Sequence, residues 1–250
     1  MGEVSQRNIK HVIAVASGKG GVGKSSVAGL AAVTLARMGY KVGIMDADIT
    51  GPSIPKIFGL VGSPAMSGDY LLPLETKLGI KVMSLNLLLS NNEQPVIWRG
   101  PLIANTVLQF WNEVAWGDLD YLLVDLPPGT GDVPLTVMKS MPLNGVIMVS
   151  SPQDLAGMVV GKAINMAATL EIPILGLVEN MSFLVCPKCG TKMEIFGPSR
   201  GEELSKRYNL RLIGKLPVDP LLVSLSDRGR IEEYSRDEIF RNLPDLVQNL

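Results

Sequence analysis

Cysteine is nearly absent: Cys186 and Cys189 are the only two in 250 residues, and such a chain cannot be a disulfide scaffold. With no secretory leader evident, that scarcity points to a reducing cytoplasm. The first eleven residues, MGEVSQRNIKH, are polar, and Gln6 stands where a myristoylation signal needs Ser or Thr. One-sided charge is missing too. Twenty-three Lys and Arg stand against 24 Asp and Glu, a net charge of −1, so no global field draws in nucleic acid or an anionic membrane. Apolar runs are short and broken by Gly, Pro or charge, well below a bilayer span. Histidine occurs once, as His11 beside the first apolar run, which leaves metal chemistry to other side chains.

What is present is enough hydrophobic residue, 46%, to bury the core of a single α/β domain over residues 1–250. Apolar strand-like runs fall at 12–16, 41–45, 81–85, 121–124, 145–149, 174–179 and 211–215. Helical patterns fall at 25–38, 103–113, 133–138, 155–170, 200–207 and 220–227. Runs such as Tyr121-Leu122-Leu123-Val124 are apolar on both faces, which suits central parallel strands covered by helices. The alternation predicts a doubly wound, mostly parallel sheet with ligands at the carboxyl ends of its strands. Pro52, Pro55, Pro64, Pro73 and Pro95 punctuate residues 51–95, so that stretch reads as loops around one β element rather than a helix. Near the end, Ile239, Phe240, Leu243, Leu246, Val247 and Leu250 keep helical spacing around Pro244. Asp237, Glu238 and Asp245 offset Arg236 and Arg241 there, so residues 236–250 read as a helix docked on its own domain rather than on a membrane.

The chemistry begins at residues 18–25, GKGGVGKS, directly after the first apolar strand. This is the G-x-x-x-x-G-K-[ST] phosphate loop in its strand–loop–helix setting. Gly18, Gly20, Gly21 and Gly23, with Lys19, Val22 and Ser26 alongside, let consecutive amides turn toward an anion at a positive helix end. Lys24 would reach the β- and γ-phosphates of ATP, and the Ser25 hydroxyl would join a magnesium shell. The run 121–124 then delivers Asp125 in YLLVDLPPGTGD, an aspartate placed to hold magnesium through water. Gly129 and Gly131 give the loop after it the freedom of a phosphate-sensing switch. Asp46 and Asp48 end the second strand, two positions apart, so both side chains are expected to face the phosphate crevice. A turn role for Asp48 is the structural alternative.

Lys19 gives KGGVGKS a resemblance to the deviant Walker A loop of the MinD, ParA, nitrogenase iron protein and Mrp families. The resemblance implies that Lys19 reaches across a homodimer interface to the partner's phosphates. It implies that Asp48 orients the attacking water, that Asp46 lies near the magnesium, and that hydrolysis is slow without a partner. It also implies adenine contacts from Asn180 and from Pro217 and Asp219, positions that would otherwise read as ordinary turn residues.

Cys186 and Cys189 share one tight turn, C-P-K-C-G, the shape of half a tetrahedral metal site. Two unliganded thiols or a redox pair are the other readings, although a redox pair would sit at a helix N-terminus. A cluster or zinc site wants four ligands and this chain offers two soft ones, so a symmetric dimer would complete the set. KGGVGKSS, DADITGPSIP, VIWRGP, DLPPGTGD and NMSFLVCPKCG together resemble the Mrp/ApbC family of iron–sulfur carrier ATPases, from about residue 9 to residue 219. That resemblance implies a 4Fe–4S cluster bridged between protomers by Cys186 and Cys189 and handed to apo-proteins under nucleotide control. The near-neutral charge and the non-basic C-terminal segment speak against a nucleic-acid or membrane partner. A ParA- or MinD-like spatial organiser, or an ATPase dimer bridged by structural zinc, remain as alternatives, with zinc able to occupy the same thiolates in aerobic preparations.

Overall fold

A central sheet of eight strands organises the chain in the computed structural model, which describes residues 7–48, 51, 53–88, 100–153, 157–236 and 238–249. In chain order the first elements are β1 (Arg7–Ser17), α1 (Lys24–Arg37), β2 (Val42–Asp46), α2 (Ile54–Phe58), β3 (Met66–Ser67), β4 (Tyr70–Leu71), β5 (Leu74–Glu75) and β6 (Lys81–Ser84). Next come α3 (Gly100–Glu113), β7 (Gly117–Asp125), α4 (Asp132–Ser140), β8 (Gly145–Ser150), α5 (Gly157–Thr169) and β9 (Ile174–Glu179). The last are β10 (Leu184–Val185), β11 (Lys192–Met193), α6 (Gly201–Tyr208), β12 (Leu212–Lys215), α7 (Pro220–Asp227) and α8 (Leu243–Gln248). The sheet order is β12-β9-β8-β1-β7-β2-β6-β5, parallel throughout except for the antiparallel edge strand β5. This is the doubly wound α/β sheet that the alternation predicts.

Period-two burial explains why the central strands read as unbroken apolar runs. Val12, Ala14 and Ala16 of β1 join one core with Leu122, Val124, Val146 and Met148. Ile13 and Val15 join the opposite core with Leu123, Ile147 and Val149. Helices α3 to α6 cover the first face, and Trp116, fully buried, fills the space beneath them. On the other face α1 is buried along most of its length, because Ala- and Leu-rich KSSVAGLAAVTLAR is sandwiched between the sheet and the C-terminal segments.

Two stretches depart from the sequence reading. Residues 51–88 contain a true helix, α2, together with the β3–β4 hairpin and strands β5 and β6. Proline density misleads here because Pro55 sits in the first turn of α2, where a missing N–H breaks nothing. Gly59 ends that helix at φ 66°, and a Cβ there would meet the Gly229 carbonyl oxygen at 2.7 Å. The C-terminal helical spacing is realised as a 3-10 turn, Glu238–Phe240, followed by α8, with Phe240, Leu243 and Val247 buried against the α1 face. Asp237, Leu250, Pro52, Pro95 and the Val96, Ile97, Trp98 and Arg99 of VIWRGP lie outside the described residues. No helix among the described residues is long and apolar enough to cross a membrane.

Because Leu123 is fully buried at the centre of β7, Leu123→Ala should cost about 2–5 kcal/mol. Urea unfolding monitored by circular dichroism should show a lower midpoint with an unchanged slope.

Candidate functional site

Parallel strands bring β1, β2, β7 and β9 to a common edge, and the residues following them build one groove. The phosphate loop leaves β1 at Ser17. Gly18 packs so tightly on α5 that a Cβ would lie 2.7 Å from the Val159 carbonyl carbon and oxygen. Gly23, at φ 76°, is the N-cap of α1, and no side chain caps that helix end. The first amides of α1 are therefore left to an incoming acceptor, and no acidic residue lies in its first turn to compete. A cavity of about 260 Å³ fills this cradle, lined by residues 19–26 together with Ser17, Asp48, Gly51, Ser53 and Pro128. Gly129 donates its amide to the Ser17 carbonyl at 2.9 Å, holding the 126–131 loop against the phosphate loop.

Electrostatics at the floor of the cavity are unusual for a buried site. Lys24, 5% exposed, places its Nζ 2.5 Å from Asp125 Oδ1 and 3.7 Å from Asp48 Oδ2. Asp46 lies opposite Asp125 in the β2–β7 register, so three carboxylates crowd one buried amine. Burial, then the neighbouring Asp125 charge, pushes the Asp46 carboxyl up to about 8. Burial also raises Asp125, against the opposing pull of Lys24. Asp125 Oδ2 is buried without a hydrogen-bond partner. A hydroxyl at Ser25, crowded carboxylates and an orphaned carboxylate oxygen form an oxygen-rich donor set suited to a hard divalent cation such as magnesium.

Asp48 lines the cavity, whereas Asp46 is turned beneath it. Asp46 accepts from the amides of Asp48 (3.2 Å) and Ile54 (3.3 Å) and from Ser84 Oγ (3.1 Å), tying the end of β2 to the first residue of α2 and to β6. The shared face expected from alternation is lost because the strand ends at Asp46 and Ala47 donates its amide to the Asp125 carbonyl.

A second cavity of about 440 Å³ continues the groove from Gly23, Ser26 and Ser53 to Asn180, Met181, Pro217, Val218 and Leu222. Its size and apolar wall suit a planar ring. Asn180 donates Nδ2 to the Val22 carbonyl at 2.9 Å, and its Oδ1 accepts from the Met181 amide at 2.9 Å. Asp219 caps α7 through the Leu221 amide (2.9 Å) and accepts from Tyr234 and Arg236, each at 3.0 Å. Sequence reasoning missed Pro128, Met181 and Leu222 as wall residues. Pro128 and Met181 had a signal, their places in DLPPGTGD and NMSFLVCPKCG.

Lys19 points along its own chain, with Nζ 3.3 Å from the Gln153 carbonyl. The cysteines occupy the turn of the β10–β11 hairpin. The Cys186 amide bonds the Thr191 carbonyl and the Gly190 amide bonds the Cys186 carbonyl, both at 2.9 Å. Gly190 takes φ 72°, which a side chain would strain. Cys186 is half-buried and Cys189 exposed. Hydrogen bonding with Thr191, whose Oγ1 lies 3.2 Å from Cys189 Sγ, lowers that thiol from its ordinary value. Among the described residues no third His, Cys, Asp or Glu joins the two cysteines, so the hairpin presents two ligands. His11 is stacked on Tyr121, ring centroids 5.2 Å apart, instead of joining them.

Known proteins resemble this chain in sequence and in fold. A family model described as ParA, NUBPL iron-transfer P-loop NTPase, matches residues 8–250. An iron-sulfur cluster carrier protein of Clostridium perfringens is 46% identical over 235 residues, covering 91% of this chain and 82% of that protein. The solved nucleotide-binding protein of Archaeoglobus fulgidus, in complex with ADP and with cobalt found in it, is 51% identical. It superimposes with a TM-score of 0.83 over 92% of this chain and 90% of its own. The cell division ATPase MinD of Pyrococcus furiosus shares the fold, with TM-score 0.65, 19% identity and coverage of 96% and 99%.

A carboxyl with a raised folded pKa favours the folded state at low pH and loses that contribution as pH climbs through the raised value. Freed of nucleotide and magnesium, the protein should lose thermal stability between the ordinary aspartate range near 4 and about 8. Asp46→Asn should flatten that loss in differential scanning calorimetry. By the same linkage, magnesium with ADP should displace protons and bind more tightly as pH rises over this range, seen as buffer-dependent heats in titration calorimetry.

Proposed function

The chain belongs to the NUBPL iron-transfer P-loop NTPase family, and from that premise we propose that it is an ATP-binding and ATP-hydrolysing iron–sulfur carrier. In this reading it works in the cytoplasm as a homodimer, holds a 4Fe–4S cluster as cargo between two cysteine hairpins, and passes it to apo-proteins. One observation carries the proposal. A hairpin presenting two thiols, with no third His, Cys, Asp or Glu beside them among the described residues, grows from the strand that also supports the nucleotide groove. Four ligands then require a second copy of the chain.

Within that reading the loop amides of Gly18, Gly20, Gly21, Val22 and Gly23 cradle the phosphates, with Ser26 beside them. Lys24 transfers its attraction from Asp125 to the β- and γ-oxygens. Lys19 leaves the Gln153 carbonyl for the partner's phosphates. Asp48, which lines the cavity near Lys24, orients the attacking water. Ser25, Asp125 and the more remote Asp46 would hold magnesium, whose charge neutralises the developing negative charge on the transferred phosphoryl group. Asn180, Pro217 and Asp219 border the base.

A second copy also explains the exposed apolar side chains beside the thiols. Val185, Met193 and Ile195 are 37–48% exposed on the hairpin and its continuation. Covering them would exclude water from the cargo.

Anaerobic reconstitution with iron and sulfide tests the proposal. The product should contain four irons for every two chains and run as a dimer, and Cys186→Ser or Cys189→Ser should abolish uptake. A monomer that stays colourless, or a variant that loads normally, would overturn it. Lysine variants separate binding from folding. Lys24→Ala removes the cation that holds the buried Asp125 ionised, so that carboxyl takes up a proton; nucleotide binding should fall, with a stability loss of at most about 3–5 kcal/mol. Lys19→Ala should keep its melting temperature yet lose ATP-dependent dimerisation in sedimentation, because among the described residues that side chain makes a long contact to a carbonyl.

A further inference from the structure

Glu179 ends β9, is 1% exposed, and has no place in the nucleotide chemistry above. Its Oε2 accepts from Ser182 Oγ at 2.5 Å and Ser199 Oγ at 2.6 Å, and its Oε1 accepts from the Arg200 amide at 2.7 Å. Ser182 and Ser199 are the two ends of the excursion, residues 183–198, that carries Cys186 and Cys189. One buried carboxylate therefore clasps both roots of the cysteine hairpin. Gly201, just past the distal root, packs close to β12, where a Cβ would lie 3.1 Å from a Leu212 methyl.

The next residue in the chain faces the other way. Asn180 Nδ2 grips the Val22 carbonyl of the phosphate loop, and it would lie 2.2 Å from any Cβ at Gly23, so there is no slack between them. A second strap runs in parallel. The Val218 amide, on the wall of the base cavity, donates to the Phe183 carbonyl at 2.7 Å, and the Ser182 amide donates to the Leu216 carbonyl at 2.9 Å.

We infer that Glu179 and Asn180 couple the phosphate loop to the roots of the cysteine hairpin, which makes Glu179 a positioning residue for the two thiols. The inference rests on the carrier reading for its purpose but not for its geometry. A phosphate settling on the loop amides acts on the Val22–Gly23 segment. Asn180 passes that displacement through one peptide bond to Glu179, and Glu179 passes it to both serines. The thiols then differ in presentation between nucleotide-bound and nucleotide-free protein, and occupancy of the thiols must feed back on nucleotide affinity by the same factor.

Alkylation of the cysteines by iodoacetamide, followed by mass spectrometry with and without magnesium ADP, reads the coupling without any cluster. In the native chain ADP should change the modification rate by at least about fivefold, the lower end of ordinary coupling. Ser182→Ala combined with Ser199→Ala should keep ADP affinity within about twofold, since neither residue lines the groove, while the rate ratio collapses toward one. Ser182→Thr with Ser199→Thr, which restores both hydroxyls, should restore the ratio. Should the double alanine variant fold poorly, Ser199→Ala alone cuts the distal root and should still shrink the ratio. A native chain whose thiols ignore ADP, or serine variants with the native ratio, would overturn the inference. A chain that gates alkylation by ADP yet takes up no iron would instead overturn the carrier reading and leave this one standing.

Discussion

One buried amine among three carboxylates is the constraint that the rest of the molecule serves. Lys24, Asp46, Asp48 and Asp125 meet because β2 and β7 run side by side with Asp46 opposite Asp125, and because β1 delivers the loop ahead of α1 beside β7. Such crowding is unfavourable on its own. Desolvation raises both strand-end carboxyls, and Lys24 can satisfy only part of the negative charge. A site strained in this way gains most from a divalent cation accompanied by an anion that takes over the lysine, which is what a magnesium nucleotide brings.

Where a function is written in contiguous letters, the sequence was legible. GKGGVGKS locates the phosphate loop, and the apolar run ahead of Asp125 locates its partner strand, because short-range spacing there dictates backbone geometry. Central strands were equally readable, since burial on both faces leaves a continuous apolar signature. The α2 helix was hidden by prolines that act locally as helix starters rather than breakers. The separation of Asp46 from Asp48 was hidden because alternation holds only while the strand lasts.

Residues that act through distant partners left no trace in the letters. Glu179 meets side chains three and twenty positions onward, and Asn180 meets a carbonyl 158 positions earlier. Asp219, a base contact only by family resemblance, joins α7 to Tyr234 and Arg236, contacts that only the folded chain creates. Spacing arguments find motifs, while clamps that connect motifs emerge only from topology.

The two sulfurs of the hairpin are chemically unequal, and that inequality sets an order of events. Cys189 stands in solvent with Thr191 favouring its thiolate, whereas Cys186 is half-sheltered and its backbone is locked into the turn. An electrophile, oxidant or soft metal diffusing in meets sulfur 189 first, and sulfur 186 follows by closing a small chelate ring on a backbone already bent to receive it.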